Sequence, residues 1–168
     1  MKQRINAYEK GRGAVQALYG LGSYVLKSSI ERSLLDLICF RVSQINGCAY
    51  CLDMHSKDLR AAGEGEQRLY VLDAWREAPF YTERERAALA WAEAVTNLTE
   101  GHVPDEVYEQ ARKQFSEEEL IDLTLGVIAI NSYNRMNVAF RTTAGTYQPP
   151  SHAVEPTNGT FVVEKKAA

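Results

Sequence analysis

Two cysteines and a histidine lie close together in the stretch INGCAYCLDMH. Two residues separate Cys48 from Cys51, and His55 follows Cys51 by four positions. If a helix begins at Cys48, its step of about 100° per residue places the three side chains within an arc of roughly 60°. The first turn of a helix has unpaired N–H groups and the positive end of the dipole, which favour a thiolate. The spacing favours a redox-active dithiol, with His55 placed to take the proton of Cys51 or to orient a water.

Two other interpretations of the same three residues are open. The cysteines could be small buried side chains beside a hydrogen-bonded histidine, or the three could bind zinc. A structural zinc site has four ligands, and Cys39, His102 and His152 complete no recognised spacing. The redox dithiol is favoured over both, and we expect no metal and no bound cofactor.

The composition is that of an ordinary globular protein. The chain has 168 residues, a net charge of −3, 45% hydrophobic residues and 24% charged residues, which fits one domain. No basic stripe indicates nucleic-acid binding. The first residues are too polar for a secretory signal, and the most apolar run, LIDLTLGVIAI, is too short to cross a bilayer. We therefore expect a cytoplasmic protein that binds neither nucleic acid nor a membrane.

Helical periodicity dominates the chain and predicts an all-α bundle of about six to seven helices at residues 1–145. The predicted helices cover about residues 12–27, 30–45, 48–62, 66–77, 82–97, 104–114 and 117–143. The helix at 30–45 is apolar nearly all round and is expected at the centre of the bundle. Residues 146–168 are rich in proline and predict an extended C-terminal arm, with a short strand at TFVVE.

Two further patterns mark helix starts and a polar patch. Capping boxes are predicted where a serine or threonine precedes a glutamate by three residues, at Ser28/Glu31, Thr82/Glu85 and Ser116/Glu119. A polar cluster interrupts the apolar last helix and is expected to line a pocket or, preferably, a subunit interface; it consists of Asn131, Tyr133, Asn134 and Arg135.

The dithiol stretch also carries a family resemblance. FRVSQINGCAYCLDMHSKDLRAAGE, Phe40 to Glu64, resembles the AhpD-like alkyl hydroperoxidases of the carboxymuconolactone decarboxylase superfamily. TERERAALAWAEAVTNLTEGHVPDEVYE and INSYNRMNVAFR extend the resemblance over about residues 14–141. It implies an AhpD-like helical bundle that assembles as a hexamer, a trimer of dimers, with a trimer as the alternative.

The resemblance implies a role for each site residue. Cys51 matches the peroxidatic thiol, Cys48 the more exposed thiol that resolves the sulfenate and meets the reductant, and His55 the relay histidine. The family's relay glutamate corresponds here to Asp36, one methylene shorter. A salt bridge to Arg32, one helical turn earlier, is the other interpretation of this aspartate.

The favoured function is a thiol-dependent peroxidase, a peroxiredoxin-type oxidoreductase that reduces hydroperoxides through a Cys48–Cys51 disulfide and a His55/Asp36 proton relay. Its expected partners are a hydroperoxide substrate and a dithiol reductant, or a lipoyl group on an adapter protein. A carboxymuconolactone-decarboxylase-type lyase is one alternative, although that chemistry needs no dithiol. A non-enzymatic redox-sensing protein is the other.

Overall fold

The computed structural model describes residues 2–98 and 102–150. Over these ranges the chain forms helices and irregular segments but no strand, which confirms the all-α fold. In chain order the α-helices are α1 (Ala7–Lys10), α2 (Arg12–Val25), α3 (Arg32–Ile45), α4 (Ala49–Ala61), α5 (Glu66–Tyr70), α6 (Glu83–Thr96), α7 (Asp105–Gln114) and α8 (Glu117–Phe140).

Two of these elements differ from the sequence-based prediction. The continuous helix expected at 66–77 is wrong, because α5 ends at Tyr70 and a 3-10 turn, Leu72–Ala74, follows. A 3-10 turn places residues i and i+3 on one side, so Leu72 and Trp75 are both buried. The short helix α1 was not expected; it begins where the Asn6 side chain accepts a hydrogen bond from the backbone of Glu9.

Helix α3 lies at the centre of the bundle, as its composition predicts. It packs against α4, α6 and α8, and Ile38 and Val42 have no exposed surface. Leu35 and Ile38 face a core shared with α6 and α8, whereas Leu37 and Phe40 face a second core shared with α4, α5 and the 3-10 turn. Burying side chains of this size stabilises the fold by about 1.5–3 kcal/mol each. Because α4 packs directly on α3, its position is fixed by the best-buried helix of the chain.

The helix starts follow two of the three predicted capping boxes. Thr82 with Glu85 and Ser116 with Glu119 form both reciprocal hydrogen bonds. The box at Ser28 is wrong, since Glu31 is itself the N-cap residue of α3 and no side chain caps that helix. The Glu31 carboxylate instead accepts hydrogen bonds from the Arg84 guanidinium on α6. The ion pair with Arg84 therefore uses the carboxylate that a capping box with Ser28 would need.

The described part of the predicted C-terminal arm packs along α4. The Gly145 N–H donates to Asp53 Oδ2 at 2.9 Å, Lys57 Nζ donates to the Tyr147 carbonyl at 2.9 Å, and the Tyr147 hydroxyl donates to Asp58 Oδ1 at 2.6 Å. Residues 146–150 are thus held against the helix that carries the cysteines. The predicted strand at TFVVE lies outside the described residues.

Helix α8 is the longest helix and carries apolar side chains on several sides. Leu123 and Val127 are fully buried, whereas Ile121, Ile128 and Val138 are exposed. A helix with this distribution leaves apolar surface in water when the chain is alone. Among the described residues, no helix is both long enough and apolar enough to span a membrane.

Candidate active site

A tight turn between α3 and α4 sets the position of the first cysteine. Gly47 has a φ of 62°, a left-handed conformation that suits glycine. The chain then reverses, and the Cys48 N–H donates to the Ser43 carbonyl at 3.1 Å. Cys48 becomes the N-cap residue of α4, so the helix begins at the dithiol as the Asn46-Gly47 break predicts.

The two cysteines are joined in the structure. Cys48 and Cys51 form a disulfide, with their Cα atoms 5.4 Å apart. The Cys51 N–H, one of the unpaired donors of the first turn, points to Cys48 Sγ at 3.4 Å. Each residue is only 1% exposed. The expectation that Cys48 is the more exposed partner is therefore wrong for this chain. Cys48 is the N-cap residue, and its sulfur accepts from the first turn of α4.

His55 lies one turn beyond Cys51 on the same helix and is buried, with 7% of its surface exposed. Neither imidazole nitrogen has a hydrogen-bond partner among residues 2–98 and 102–150. Burial, reinforced by the nearby positive charge of Arg32, lowers the pKa of His55 to about 4. The imidazole is therefore neutral at pH 7, and its free lone pair can accept a proton.

Asp36 occupies a buried position on α3 and pairs with Arg32. The Arg32 Nε donates to Asp36 Oδ2 at 2.8 Å, which is the salt bridge weighed from the sequence. Burial raises the pKa of Asp36, and the guanidinium opposes that rise. Because neither nitrogen of His55 has a partner in the described chain, Asp36 and His55 share no direct hydrogen bond. A relay between them would need a bridging water.

Two of the four residues of the polar cluster on α8, Asn131 and Asn134, hold the turn before the dithiol. The Asn46 amide nitrogen donates to the side-chain oxygens of Asn131 and Asn134, at 2.9 Å each. Asn134 in turn donates to the Ser43 hydroxyl at 3.1 Å. These contacts tie the end of α3 to α8 within one chain. They give the asparagines a role in positioning the cysteine helix that the pocket or interface interpretation did not include.

One polar residue of α8 touches the dithiol and was missed in the sequence. The Asn137 Nδ2 donates to Cys51 Sγ at 3.4 Å, and Asn137 is 96% buried, being 4% exposed. The contact joins residues 86 positions apart, so no local spacing reveals it. The one available signal was a third asparagine, three positions after Asn134, in a largely apolar helix.

The site has no evident metal-binding set. In the ranges that the structure describes, no group of three or more His, Cys, Asp or Glu side chains is arranged to hold a metal ion. Cys39, the remaining cysteine, is unpaired and packs against the central core, and burial raises the pKa of its thiol far above the usual range. The chemistry that the arrangement supports is two-electron exchange at the Cys48–Cys51 pair, with His55 as a base one turn along the same helix.

Comparisons with known proteins agree with this geometry. The carboxymuconolactone decarboxylase family model matches residues 13–94, which include the dithiol and His55. The uncharacterized protein YdfG of Bacillus subtilis is 44% identical over 139 residues, 83% of this chain and 95% of that protein. The alkyl hydroperoxide reductase AhpD of Mycobacteroides abscessus is 38% identical over 64 residues, 34% of this chain and 37% of the reductase.

A solved structure extends the likeness to the whole fold. A protein of unknown function from Agrobacterium tumefaciens, proposed to be the antioxidant defence protein AhpD, superposes with a TM-score of 0.84 at 42% identity. The superposition covers 87% of this chain and 100% of that one. With the matched segment, the full-length relative and the shared fold all in agreement, the chain belongs to the carboxymuconolactone decarboxylase superfamily as an AhpD-like member.

Proposed function

We propose that the protein is a thiol-dependent peroxidase, a peroxiredoxin-type oxidoreductase that reduces hydroperoxides with the Cys48–Cys51 pair. The observation that carries the proposal is the pairing of these sulfurs at the start of α4, one turn from a neutral histidine. The imidazole nitrogens have no partner in the described chain, so one of them is open to accept the proton of Cys51, although the lowered pKa makes His55 a weaker base than an ordinary histidine. Partial identity to an alkyl hydroperoxide reductase supports the same activity.

The proposed cycle begins with the reduced dithiol. His55 takes the proton of Cys51, and the thiolate attacks the terminal oxygen of the hydroperoxide. The O–O bond breaks, Cys51 becomes a sulfenic acid, and the alkoxide leaves with the proton as an alcohol. The Cys48 thiol then attacks the sulfenic sulfur, which forms the disulfide and releases water.

A dithiol donor completes the cycle. One of its thiolates attacks a sulfur of the disulfide and releases the other cysteine. Its second thiol then attacks the donor's own sulfur in the mixed disulfide and releases the remaining cysteine, so the donor becomes a disulfide and two electrons return to the cysteines. We place the first attack at Cys48, because the residues beside it in the chain, Gly47 and Ala49, are exposed. A small dithiol or a lipoyl arm on an adapter protein suits this position. With both cysteine residues 1% exposed, the helix start has to open slightly for attack.

Asp36 has an indirect part in this proposal. Its carboxylate is held by Arg32, and Arg32 also places positive charge near His55. A water between the aspartate and the imidazole would pass the proton of Cys51 onward. The ion pair then sets the charge around the relay, and the shorter aspartate makes proton transfer slower than a directly bonded carboxylate would.

Peroxide consumption by the purified protein, with dihydrolipoamide as the electron donor, tests the activity. We expect turnover that Cys51→Ser abolishes, together with loss of about two free thiols per chain after one equivalent of peroxide. Cys39→Ser is the matched control, because Cys39 lies on α3 and packs against the central core, and we expect it to keep the wild-type rate. A Cys51→Ser protein that consumes peroxide at the wild-type rate would refute the proposal.

The burial of both sulfurs favours one other function, a redox sensor that cycles without turnover. A closed disulfide resists attack by donors unless the site opens. Such a protein would oxidise once with peroxide and would be reduced only slowly by dihydrolipoamide. Single-cycle oxidation with no multiple turnover would select the sensor over the peroxidase.

A further inference from the structure

The N-terminal segment is fastened to the far end of α8. The Arg4 N–H donates to the Phe140 carbonyl at 3.0 Å, and its guanidinium donates to the Ala139 carbonyl at 3.1 Å. These bonds occupy carbonyls at a helix end, where no intrahelical donor is available. They also place Tyr8, on α1, beside α8, where its hydroxyl donates to Asn137 Oδ1 at 3.1 Å.

The contact continues from Asn137 to the dithiol. The amide oxygen of Asn137 accepts the hydrogen bond from the Tyr8 hydroxyl, and the amide nitrogen donates to Cys51 Sγ, 3.4 Å away. We infer that Asn137 stabilises the thiolate of Cys51 by donating this hydrogen bond, and that Tyr8 is the positioning residue that keeps the amide in the donating orientation. The inference rests on the proposed function, in which Cys51 is the thiol that attacks peroxide.

The orientation of the amide decides whether it helps or hinders the thiolate. Asn137 has a donating nitrogen at one end and an accepting oxygen at the other. If the amide turned over, its oxygen would face the negative sulfur and its nitrogen would face the tyrosine hydroxyl. Burial raises the pKa of Tyr8 to about 12, so the hydroxyl keeps its proton throughout the pH range in which thiols ionise. Tyr8 can therefore keep donating to Asn137 Oδ1 as it does in the structure, which leaves the amide nitrogen for Cys51, whereas the turned-over amide would set its oxygen against the negative sulfur.

The two sulfurs consequently depend on different donors. Cys48 Sγ accepts from the backbone at the start of α4, whereas Cys51 Sγ accepts from a side chain of α8. A change at Asn137 should alter the ionisation of Cys51 and leave Cys48 unchanged. This difference separates a direct effect on the sulfur from a general loosening of the site.

The experiment measures the ionisation of each thiol without peroxide. Cys51 alone is followed in a Cys48→Ser background and Cys48 alone in a Cys51→Ser background, by the pH dependence of iodoacetamide alkylation with mass-spectrometric assignment. Asn137→Asp, whose carboxylate adds negative charge beside the sulfur, should raise the midpoint of Cys51 at least as far as Asn137→Leu does. We expect Asn137→Leu to raise that midpoint by about one pH unit, because a hydrogen bond to a charged group is lost. The thiolate fraction of Cys51 at pH 7 then falls by roughly tenfold, and the midpoint of Cys48 stays within about 0.3 units.

Tyr8→Phe should also raise the midpoint of Cys51, but by less than the Asn137 variants do. The thiolate fraction of Cys51 at pH 7 should then fall by about threefold. Tyr24→Phe is the matched control, because the Tyr24 hydroxyl makes one comparable bond, to Asp122 Oδ1 at 2.9 Å, away from the dithiol. We expect it to leave both midpoints unchanged.

An unchanged midpoint of Cys51 in a folded Asn137→Leu or Asn137→Asp protein would overturn the inference, as would equal shifts of both cysteines in Asn137→Leu. If the midpoint moves as expected in a protein that does not turn over peroxide, the inference holds and the peroxidase proposal fails. If peroxide is turned over but the midpoint does not move, only the inference fails.

Discussion

The neutral, buried state of His55 makes the stability of the protein depend on pH in a specific window. Its pKa in the folded protein is about 4, below the ordinary value of 6.5, mainly because burial disfavours the charged imidazole. As pH falls, the unfolded chain therefore takes up a proton on His55 before the folded protein does. The stability contributed by this residue is fully present above pH 6.5 and is lost progressively between pH 6.5 and 4.

The size of the loss follows from the two pKa values. Between pH 7.5 and pH 5, protonation of His55 stabilises the unfolded state by about 2 kcal/mol more than it stabilises the folded state. His55→Leu removes the titrating group and fills a similar volume. The free energy of unfolding of this variant should therefore fall by about 2 kcal/mol less than that of the wild type over the same range.

Urea unfolding of the oxidised protein at pH 7.5 and pH 5 measures both quantities. The closed disulfide keeps the two site cysteines from titrating, and the raised pKa of Asp36 contributes equally to both proteins. His102→Gln is the control, since His102 is exposed, and it should behave as wild type. If wild type and His55→Leu lose the same free energy, burial does not hold His55 neutral in the folded protein, and the lowered pKa assigned to it would be refuted.

Two further predictions concern the relay and the assembly. Asp36→Asn should slow the oxidation of Cys51 by roughly tenfold or more while the fold is retained, and Asp36→Glu should restore the rate; stopped-flow peroxide mixing measures both. If Asp36→Asn lowers the melting temperature and leaves the pH–rate profile unmoved, the ion pair with Arg32 is its whole role. The apolar residues exposed on α8, Ile121 and Ile128 among them, lead us to expect a homo-hexamer, or a trimer. Light scattering that returns the mass of one chain would contradict the assembly.

Most of the fold could be predicted because its signals are local. Helical periodicity located α3 and α8, and serine or threonine with a glutamate three residues later marked the starts of α6 and α8. The same motif failed at Ser28, because Arg84 binds the Glu31 carboxylate from 53 residues away. Capping is worth only about 1 kcal/mol, so an ion pair with better geometry can displace it.

The candidate site was predictable only along its own helix. Cys48, Cys51 and His55 are spaced by the helical period, and the structure places them at the start of one helix. The donor Asn137 and its tyrosine come from α8 and α1, and such long-range contacts leave no periodic trace in the sequence. The burial of Cys48 was missed for a related reason, since α4 ends up packed between α3 and α8.

The fastening of the N-terminal segment to α8 also bears on how the protein is made. The bond between Arg4 and Phe140 joins two of the most widely separated parts of the described chain, and the bond from Asn137 to Cys51 joins residues 86 apart. Contacts between residues so far apart in sequence form late in folding, and synthesis proceeds from the N-terminus. Cys51 therefore leaves the ribosome long before its donor exists. During translation its thiol lacks the hydrogen bond from Asn137, and it gains that bond only after α8 has been synthesised and has docked.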